Sequence, residues 1–528
     1  MRNPNAPFGN PDGSRADIDD VLHEFVDFPD ETTWGGIAMR RDDFTARVIV
    51  GRKGSGKTVY LRRLQASAAD ANAIYADAFP KYVDDIQQNY PNTDLVVKFC
   101  NWFKPADLTE KWRELWRRAI LRSLYTHLVY SDGLKHLLKP NRKKQLLETY
   151  STMLPIPKTP LSIYSQVTEI IHQMRSDRQF VEFCNSPLWE SLEYELATIL
   201  HNAPPVCFFV DAVDEEFAHA PMYWLRCQKG LFYQVMRFLR DSRLGSRLHI
   251  FICIRDIVLA SVFRGEHQTR YRNEPHIRLL KWDLEAIRYL LRQKVNTLPH
   301  SFFFNPQQEN SSVSSWLGVE HIANISRNIE ENIEDYLLRH TRLLPRDTVI
   351  LGNDLCLNIA RNRNLGIGKS PEEIIKDCVH RCAEIFAKEQ LAICANHLSS
   401  DTMPARAAAH EYAEVYTSAK EYIATFSESL RALLGNFTAD RFTRGDIDQT
   451  REFCRTQFGD PDRPFSVLWQ HGLIGYINST PGRPPVVFYS EDHLDDFLLP
   501  QDVEGYAMHP CLCDLVHPKL LGAPVMPS

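Results

Sequence analysis

The residues best suited to chemistry lie in one stretch, Gly51-Arg52-Lys53-Gly54-Ser55-Gly56-Lys57-Thr58. An apolar run, Arg47-Val48-Ile49-Val50, precedes it, and a helical pattern, Val59-Tyr60-Leu61-Arg62-Arg63-Leu64, follows. Strand, G-x-x-x-x-G-K-T loop and helix form the context of a Walker A phosphate loop. Gly51, Gly54 and Gly56 allow backbone angles and close approaches that a Cβ would obstruct. Successive N–H groups, that of Ser55 among them, then join the helix N-terminus in an anion-binding nest. Lys57 is expected to reach the β- and γ-phosphates of a nucleotide as a point charge, and the Thr58 hydroxyl to ligate Mg²⁺.

Such a loop needs a second carboxylate strand. Val206-Cys207-Phe208-Phe209-Val210 is a continuous apolar run ending in Asp211-Ala212-Val213-Asp214-Glu215-Glu216. An unbroken run of this kind suits a central parallel strand buried on both faces. Asp211 at its carboxyl end is expected to hold the metal through water, and Asp214 or Glu215 to polarise the attacking water. A third apolar run, Leu248–Ile254, ends in Arg255-Asp256. Arg255 is a candidate sensor of the γ-phosphate; a salt bridge to Asp256 or to a helix end is the alternative.

The Asp211-Ala212-Val213-Asp214-Glu215 form of the second motif resembles that of STAND-class P-loop NTPases, particularly the NACHT-like branch. Arg255-Asp256-Ile257, then His276-Ile277-Arg278-Leu279-Leu280-Lys281-Trp282-Asp283 and the helix pattern Leu284, Ile287, Leu290, Leu291, resemble prokaryotic ATPases related to origin-recognition-type AAA+ proteins. Tyr336–Asp347 is similar to the lid segment of that group. The resemblance covers about residues 35–360. It implies an ATP-driven switch that oligomerises when active, with many bacterial members implicated in defence against phage. It also implies a second-sensor role for Arg346, over the nucleotide, against the alternative of a helix N-terminal arginine with a structural partner, and ATP as the ligand; a guanine-reading N-K-x-D is not evident. The resemblance stops at an effector, because no nuclease, protease or TIR module is recognisable.

The elements that must position these residues follow from the rest of the chain. At 528 residues, it is long enough for two to four domains. Its 44% hydrophobic and 24% charged composition excludes a disordered or low-complexity chain. The apolar runs are strand-length, short of a membrane helix, and the polar, acidic start has no apolar h-region. The twelve scattered cysteines read as reduced thiols, so the expected setting is cytoplasmic, with no membrane partner. The organisation expected is an N-terminal tail (1–34) packed on the core, with a short helix at Ile18–Phe25. An α/β P-loop NTPase core with a parallel sheet (35–282) follows, its strands including Ala73–Ala76 and Leu95–Cys100, and a helical insertion at about 108–200. Then come a helical lid (283–360), a helical region (361–440) with a long amphipathic pattern at Ala405–Leu434, and a winged-helix-like module (441–528). In that module, Arg444–Gln457 and a helix ending at Gly472 precede strands Leu473–Ile477 and Val486–Tyr489.

Charge bears on partners. Residues 351–528 carry 16 Lys and Arg against 24 Asp and Glu, which disfavours DNA reading by the C-terminal module. Residues 104–144 carry eleven basic against four acidic residues. That stretch is the candidate nucleic-acid surface, against the alternative of a solvated helix packed on the sheet through Trp112, Leu115, Trp116, Ala119 and Ile120. The partners expected are a second copy of the chain or other proteins, with Arg264, Arg270 and Arg272 as candidates for action in trans or as plain surface charge. Cys378-Val379-His380-Arg381-Cys382 and His509-Pro510-Cys511-Leu512-Cys513, with His517, have zinc-compatible ligand types but lack paired C-x-x-C knuckles. The favoured function is an ATP-binding and slowly hydrolysing switch in a defence or regulatory complex; a DNA-binding replication or segregation loader is the alternative.

Overall fold

Strands β1 (Arg47–Val50), β2 (Lys81–Asp85), β3 (Val206–Val210), β4 (Leu248–Ile254) and β5 (Ile277–Leu279) form one sheet, ordered β2-β3-β4-β1-β5, in a computed structural model of the chain. All neighbouring pairs are parallel. The structure describes residues 3–15, 47–74, 81–85, 93–104, 106–130, 138–150, 162–201, 206–211, 221–244, 247–264, 268–271, 274–307, 310–407, 412–478, 480, 485–490, 493–494 and 497–527. Among these, no helix is long and apolar enough to cross a membrane.

The unbroken apolar runs of β3 and β4 make sense because both faces of the sheet are covered. Val48, Val50, Val206, Phe208, Val210, Leu248, Ile250, Ile252 and Ile254 point into one core. Ile49, Cys207, Phe209, Phe251 and Cys253 point into the other, under the helix Lys57–Ile74. The strand period of two sorts the residues even where the sequence shows no alternation. The first core is filled by Trp112, Leu115, Trp116, Ala119 and Ile120 of the helix Leu108–Tyr130, and by helices Ile163–Gln173, Leu188–His201 and Pro221–Leu239. The insertion is thus part of the sheet's cover.

Two expected strands are corrected. Leu95–Cys100 lies in a helix, Thr93–Asn101, whose Phe99 packs edge-on against Trp112 and Phe180. Periodicity cannot separate strand from buried helix in so short an apolar run. Residues 73–74 close the helix Lys57–Ile74, and 75–76 lie outside the described residues. The sheet positions go to Lys81–Asp85, too polar to read as a strand, and to the three-residue β5. The expected helix Ile18–Phe25 also lies outside the described residues.

Residues 284–364 hold helices Leu284–Asn296, Val313–Leu317, Ile333–Arg339 and Pro345–Asn364, with an unexpected antiparallel hairpin, β6 (His321–Asn324) and β7 (Ile329–Asn332). A 37-residue helix, Pro371–Ala407, then ties the lid to the C-terminal unit. Its first half (Ile374, Ile375, Cys378, Val379, Cys382) enters the lid core. Its second half (Leu391, Cys394, Ala395, Leu398) enters the core of the C-terminal unit. The boundary expected at residue 440 is therefore not a packing boundary. The pattern expected over Ala405–Leu434 divides between this helix and Tyr412–Gly435. Helices Arg444–Gln449, Arg451–Phe458 and Arg463–Gln470 follow, the first two replacing the single helix expected. A four-stranded antiparallel sheet completes the unit: β8 (Arg441–Phe442), β9 (Ile474–Ile477), β10 (Val486–Phe488) and β11 (Tyr506–Met508), in the order β10-β9-β11-β8. The sequence reading missed β11, which sits between the hairpin and β8 and makes the unit more than a bare wing.

Residues 3–15 stitch the lid to the phosphate-loop helix. Phe8 is fully buried with its ring 5.0 Å from Trp316. Asn353 Oδ1 accepts from Phe8 N–H at 2.8 Å, and Asn353 Nδ2 donates to the Gly9 carbonyl at 2.9 Å. At the other end, Arg62 Nη1 donates to the Gly13 carbonyl at 2.9 Å. A Cβ on Gly352 would lie 2.2 Å from the Phe8 ring, so that position must be glycine while Phe8 is docked. Gly352→Ala should therefore cost about 1–3 kcal/mol in a denaturant melt, as overpacking does. In a Phe8→Ala background it should cost little. Equal losses in both backgrounds would show that Phe8 does not occupy this place.

Candidate functional site

An all-parallel sheet brings the carboxyl ends of its strands to one edge, where ligands of such sheets bind. Val50 of β1 pairs with Ile254 of β4, and Val210 of β3 with Ile252. Gly51, Arg255 and Asp211, the next residues, therefore meet at that edge, with β4 between the two motif strands. The loop then turns into the helix at Lys57. Gly54 and Gly56 have φ of +91° and +89°, a region that side chains strain to adopt. A Cβ on Gly51 would fall 2.4 Å from Ser55 Oγ. Lys57 Nζ donates to the carbonyls of Gly51 and Arg52, each at 2.9 Å, so the ammonium lies within the loop.

The decisive contact joins residues 153 positions apart: Thr58 Oγ1 donates to Asp211 Oδ2 at 2.6 Å. Asp211 is 8% exposed, and its main-chain carbonyl accepts a close hydrogen bond from Tyr164 Oη. Tyr164 belongs to the insertion, where nothing in the sequence pointed to a role at the site. Asp214 and Glu215 lie outside the described residues, so the position of the expected base is not part of this geometry.

Two further units sit on the loop. From the lid, Arg346 N–H donates to the Gly54 carbonyl at 3.2 Å. The Arg346 guanidinium, expected over the nucleotide, is 3.7 Å from Glu389. The turn before it is held by a buried bidentate pair, Arg342 with Asp347, both contacts at 2.7 Å. That pair steadies Leu343 at φ +49°, a strained conformation for leucine. Trp282 Nε1 donates to the Ser55 carbonyl at 2.9 Å. Its stretch carried the family resemblance, but no separate signal marked it as a loop support.

From the C-terminal unit, His471 and Gly472 reach the loop. Arg52 Nε lies 3.7 Å from Asp256 Oδ2, so Asp256 pairs with the loop arginine. The Arg52 guanidinium lies 5.8 Å from the Tyr489 ring centre, and its Nη1 would be 3.0 Å from a Cβ on Gly472. Arg255 caps the helix Asp256–Phe263 with its backbone and lines the cavity beneath His471. Leu494 enters the core beside the sheet, and Arg264 stacks 3.4 Å over Phe497. Arg264, expected as a residue acting in trans or as surface charge, thus fastens the C-terminal unit to its own core. Arg270 stands 5.7 Å over Tyr271, and Arg272 lies outside the described residues.

The basic stretch spends most of its charge on pairs within the chain. Lys111, Arg113, Arg117, Arg142 and Lys144 pair with Glu114, Glu110, Glu193, Glu195 and Glu148. Arg118 stacks on Trp189, and Arg122 is buried. A helix packed on the sheet accounts for it better than a nucleic-acid surface does. Cys378 and Cys382 are core residues, while His380 contacts Asp514. His509 caps the last helix, Pro510–Val516, by accepting from Cys511 N–H.

Three histidines at the docking face are held neutral. Desolvation, then neighbouring arginines, pushes His471 and His509 down to about 3. Desolvation, then His471 and Arg463, holds His397 well below its ordinary value. Below pH ~6.5 the exposed, unfolded imidazoles bind protons that the folded ones refuse, so folded stability falls with pH. His471 and His509 would each cost about 2 kcal/mol at pH 5. His380 works the other way, raised by its Asp514 hydrogen bond. The melting temperature should thus drop between pH 7 and 5, and His471→Gln should flatten that drop. A melting temperature unchanged across this range would mean that the imidazoles are solvated.

No family model matches the chain, and no curated protein matches it. The solved structures that match include the crystal structure of Cdc6p from Pyrobaculum aerophilum. It is 12% identical, over 91% of this chain and 96% of that chain, with a TM-score of 0.29. A likeness that faint carries no argument about fold or function, and the site has to be read from its own geometry.

Proposed function

We propose that this chain is an ATP-binding P-loop hydrolase in which nucleotide state governs the grip of the lid and the C-terminal unit on the phosphate loop. The observation that carries the reading is the 2.6 Å contact between Thr58 and Asp211, which unites the two motifs at the sheet edge. A hydroxyl beside a carboxylate is a hard-oxygen pair of the kind Mg²⁺ takes, so these residues fit the metal. Bound there, Mg²⁺ would neutralise charge on the β- and γ-phosphates.

Lys57 exchanges its two loop carbonyls for phosphate oxygens, a charge-assisted contact in place of neutral ones. The N–H groups about Gly54–Thr58 cradle the phosphates. Glu215 or Asp214, four and three residues past Asp211 in sequence, orients the water. Arg255, directly after β4 and beside Gly51, senses the γ-phosphate in this reading. Adenine over guanine rests on the family resemblance alone.

The switch follows from what touches the loop. Arg346 bonds Gly54, Trp282 bonds Ser55, and Arg52 is held by Asp256 and covered by Gly472 and Tyr489. A loop that changes partners on binding phosphate therefore pulls on both units, and a two-state element of this kind is what a nucleotide switch requires.

Lys57→Ala should weaken ATP binding by about 100-fold or more, the scale of deleting one partner of a buried charge contact. A fluorescent ATP analogue titrated into both proteins reads this, with matched melting curves as the control. Equal affinity in the folded variant would refute the nucleotide reading.

A further inference from the structure

A cavity of about 60 Å³ lies between the phosphate loop and the C-terminal unit, walled in part by Arg52, Ser55, Asn396, Gln470, His471 and His509. One water needs only ~10–15 Å³ by that measure, so there is room for several waters or one tetrahedral anion. The hydrogen-bonding logic of the walls decides which charge suits it. His509 Nδ1 accepts from Cys511 N–H at 3.2 Å, so the imidazole hydrogen sits on Nε2. That Nε2 is buried, with no hydrogen-bond partner among the described residues. Arg463 Nη2 lies 3.2 Å from His397 Nε2, and a guanidinium can only donate. His397 therefore carries its hydrogen on Nδ1 and gives it to His471 Nε2 at 3.2 Å. His471 is left with its hydrogen on Nδ1.

Arg52 Nη2 and Ser55 Oγ are also buried without a hydrogen-bond partner. Four donors thus line one cavity, beside the further cationic side chains of Lys53 and Arg255, and Arg342, which is paired with Asp347. Asp256 is the carboxylate in the wall, and it already faces Arg52. Two acceptors, Asn396 Oδ1 and Gln470 Oε1, are likewise buried without a hydrogen-bond partner. Buried polar groups are rarely left unmet, and so many in one cavity call for a common occupant. Because both imidazoles stay neutral, they act as fixed donors over the whole physiological range.

We propose that this cavity is an oxyanion pocket for a phosphate-type tetrahedral anion, to which Arg52, Ser55, His471 and His509 donate. Asn396 and Gln470 accept from the hydroxyl of a monohydrogen phosphate. The anion is either free phosphate or the terminal phosphoryl group of a nucleotide, and in both cases it bridges the loop and the C-terminal unit. The pocket goes beyond the nucleotide reading, since its side-chain donors are distinct from Lys57, Thr58 and the loop N–H groups; only the terminal-phosphoryl source rests on that reading.

Inorganic phosphate titrated calorimetrically into the full chain tests this. Wild type and Lys57→Ala should both bind it saturably. His509→Asn keeps a capping acceptor for Cys511, but its shorter side chain has no donor at the position of His509 Nε2, so it should bind about tenfold more weakly, the scale of one hydrogen bond to a charged group. No saturable binding in wild type would mean that the cavity holds water only, and would overturn the proposal. Loss in Lys57→Ala would place the anion in the nucleotide loop, with the same consequence. Repeating the titration with nucleotide present separates the sources. Competition by a non-hydrolysable ATP analogue but not by ADP would identify the terminal phosphoryl group as occupant. Competition by neither would identify free phosphate. Competition by ADP as well would overturn the pocket as a separate site.

Discussion

The hydrogen bond from Thr58 to Asp211 depends on a sheet buried on both faces. Only a continuous parallel sheet brings the end of β1 and the end of β3 to one edge while leaving a strand between them. That strand, β4, delivers Arg255 to the same edge and Asp256 to Arg52. The apolar runs that build the core and the polar residues that follow them are one design: burial stops where chemistry begins. Tyr164 adds a support from outside the sheet, because its hydroxyl holds the main chain of Asp211.

Around this edge the molecule is arranged as two grips on one loop. The lid touches Gly54 through Arg346, on a turn kept in a strained conformation by Arg342 and Asp347. The C-terminal unit touches Arg52 through Gly472 and Tyr489. The helix Pro371–Ala407 contributes to both cores, so the two grips are mechanically joined. The helix that joins them is about 55 Å long. Residues 3–15 add a third link, pinned in the lid by Phe8 and to the loop helix by Arg62.

The sequence made the edge where the two motifs meet legible because its signals are local. A glycine-rich loop between strand and helix, and an apolar run ending in Asp211, carry their meaning within a few residues. What stayed hidden is long-range or polar. Lys81–Asp85 is a strand that looks like a loop, because pairing with β3 rather than its own side chains makes it one. Leu95–Cys100 looked like a strand because its apolar residues run together, yet the segment is helical, with Phe99 packed against Trp112 and Phe180. The insertion's arginines left a nucleic-acid face and a helix packed on the sheet both open in the sequence, because their partners Glu193 and Glu195 lie some seventy and fifty residues further along the chain. The docking of His471 on the loop had no local signal, since Gly472 reads simply as the end of a helix. Asp214 and Glu215, named from sequence, lie outside the described residues.

The most direct measurement is phosphate release from ATP by the purified full chain, with and without Mg²⁺, compared with Asp211→Asn. The account predicts Mg²⁺-dependent turnover in the wild type that Asp211→Asn abolishes, although both proteins bind ATP. Turnover that persists unchanged in Asp211→Asn, or none in the wild type under any condition, would contradict it.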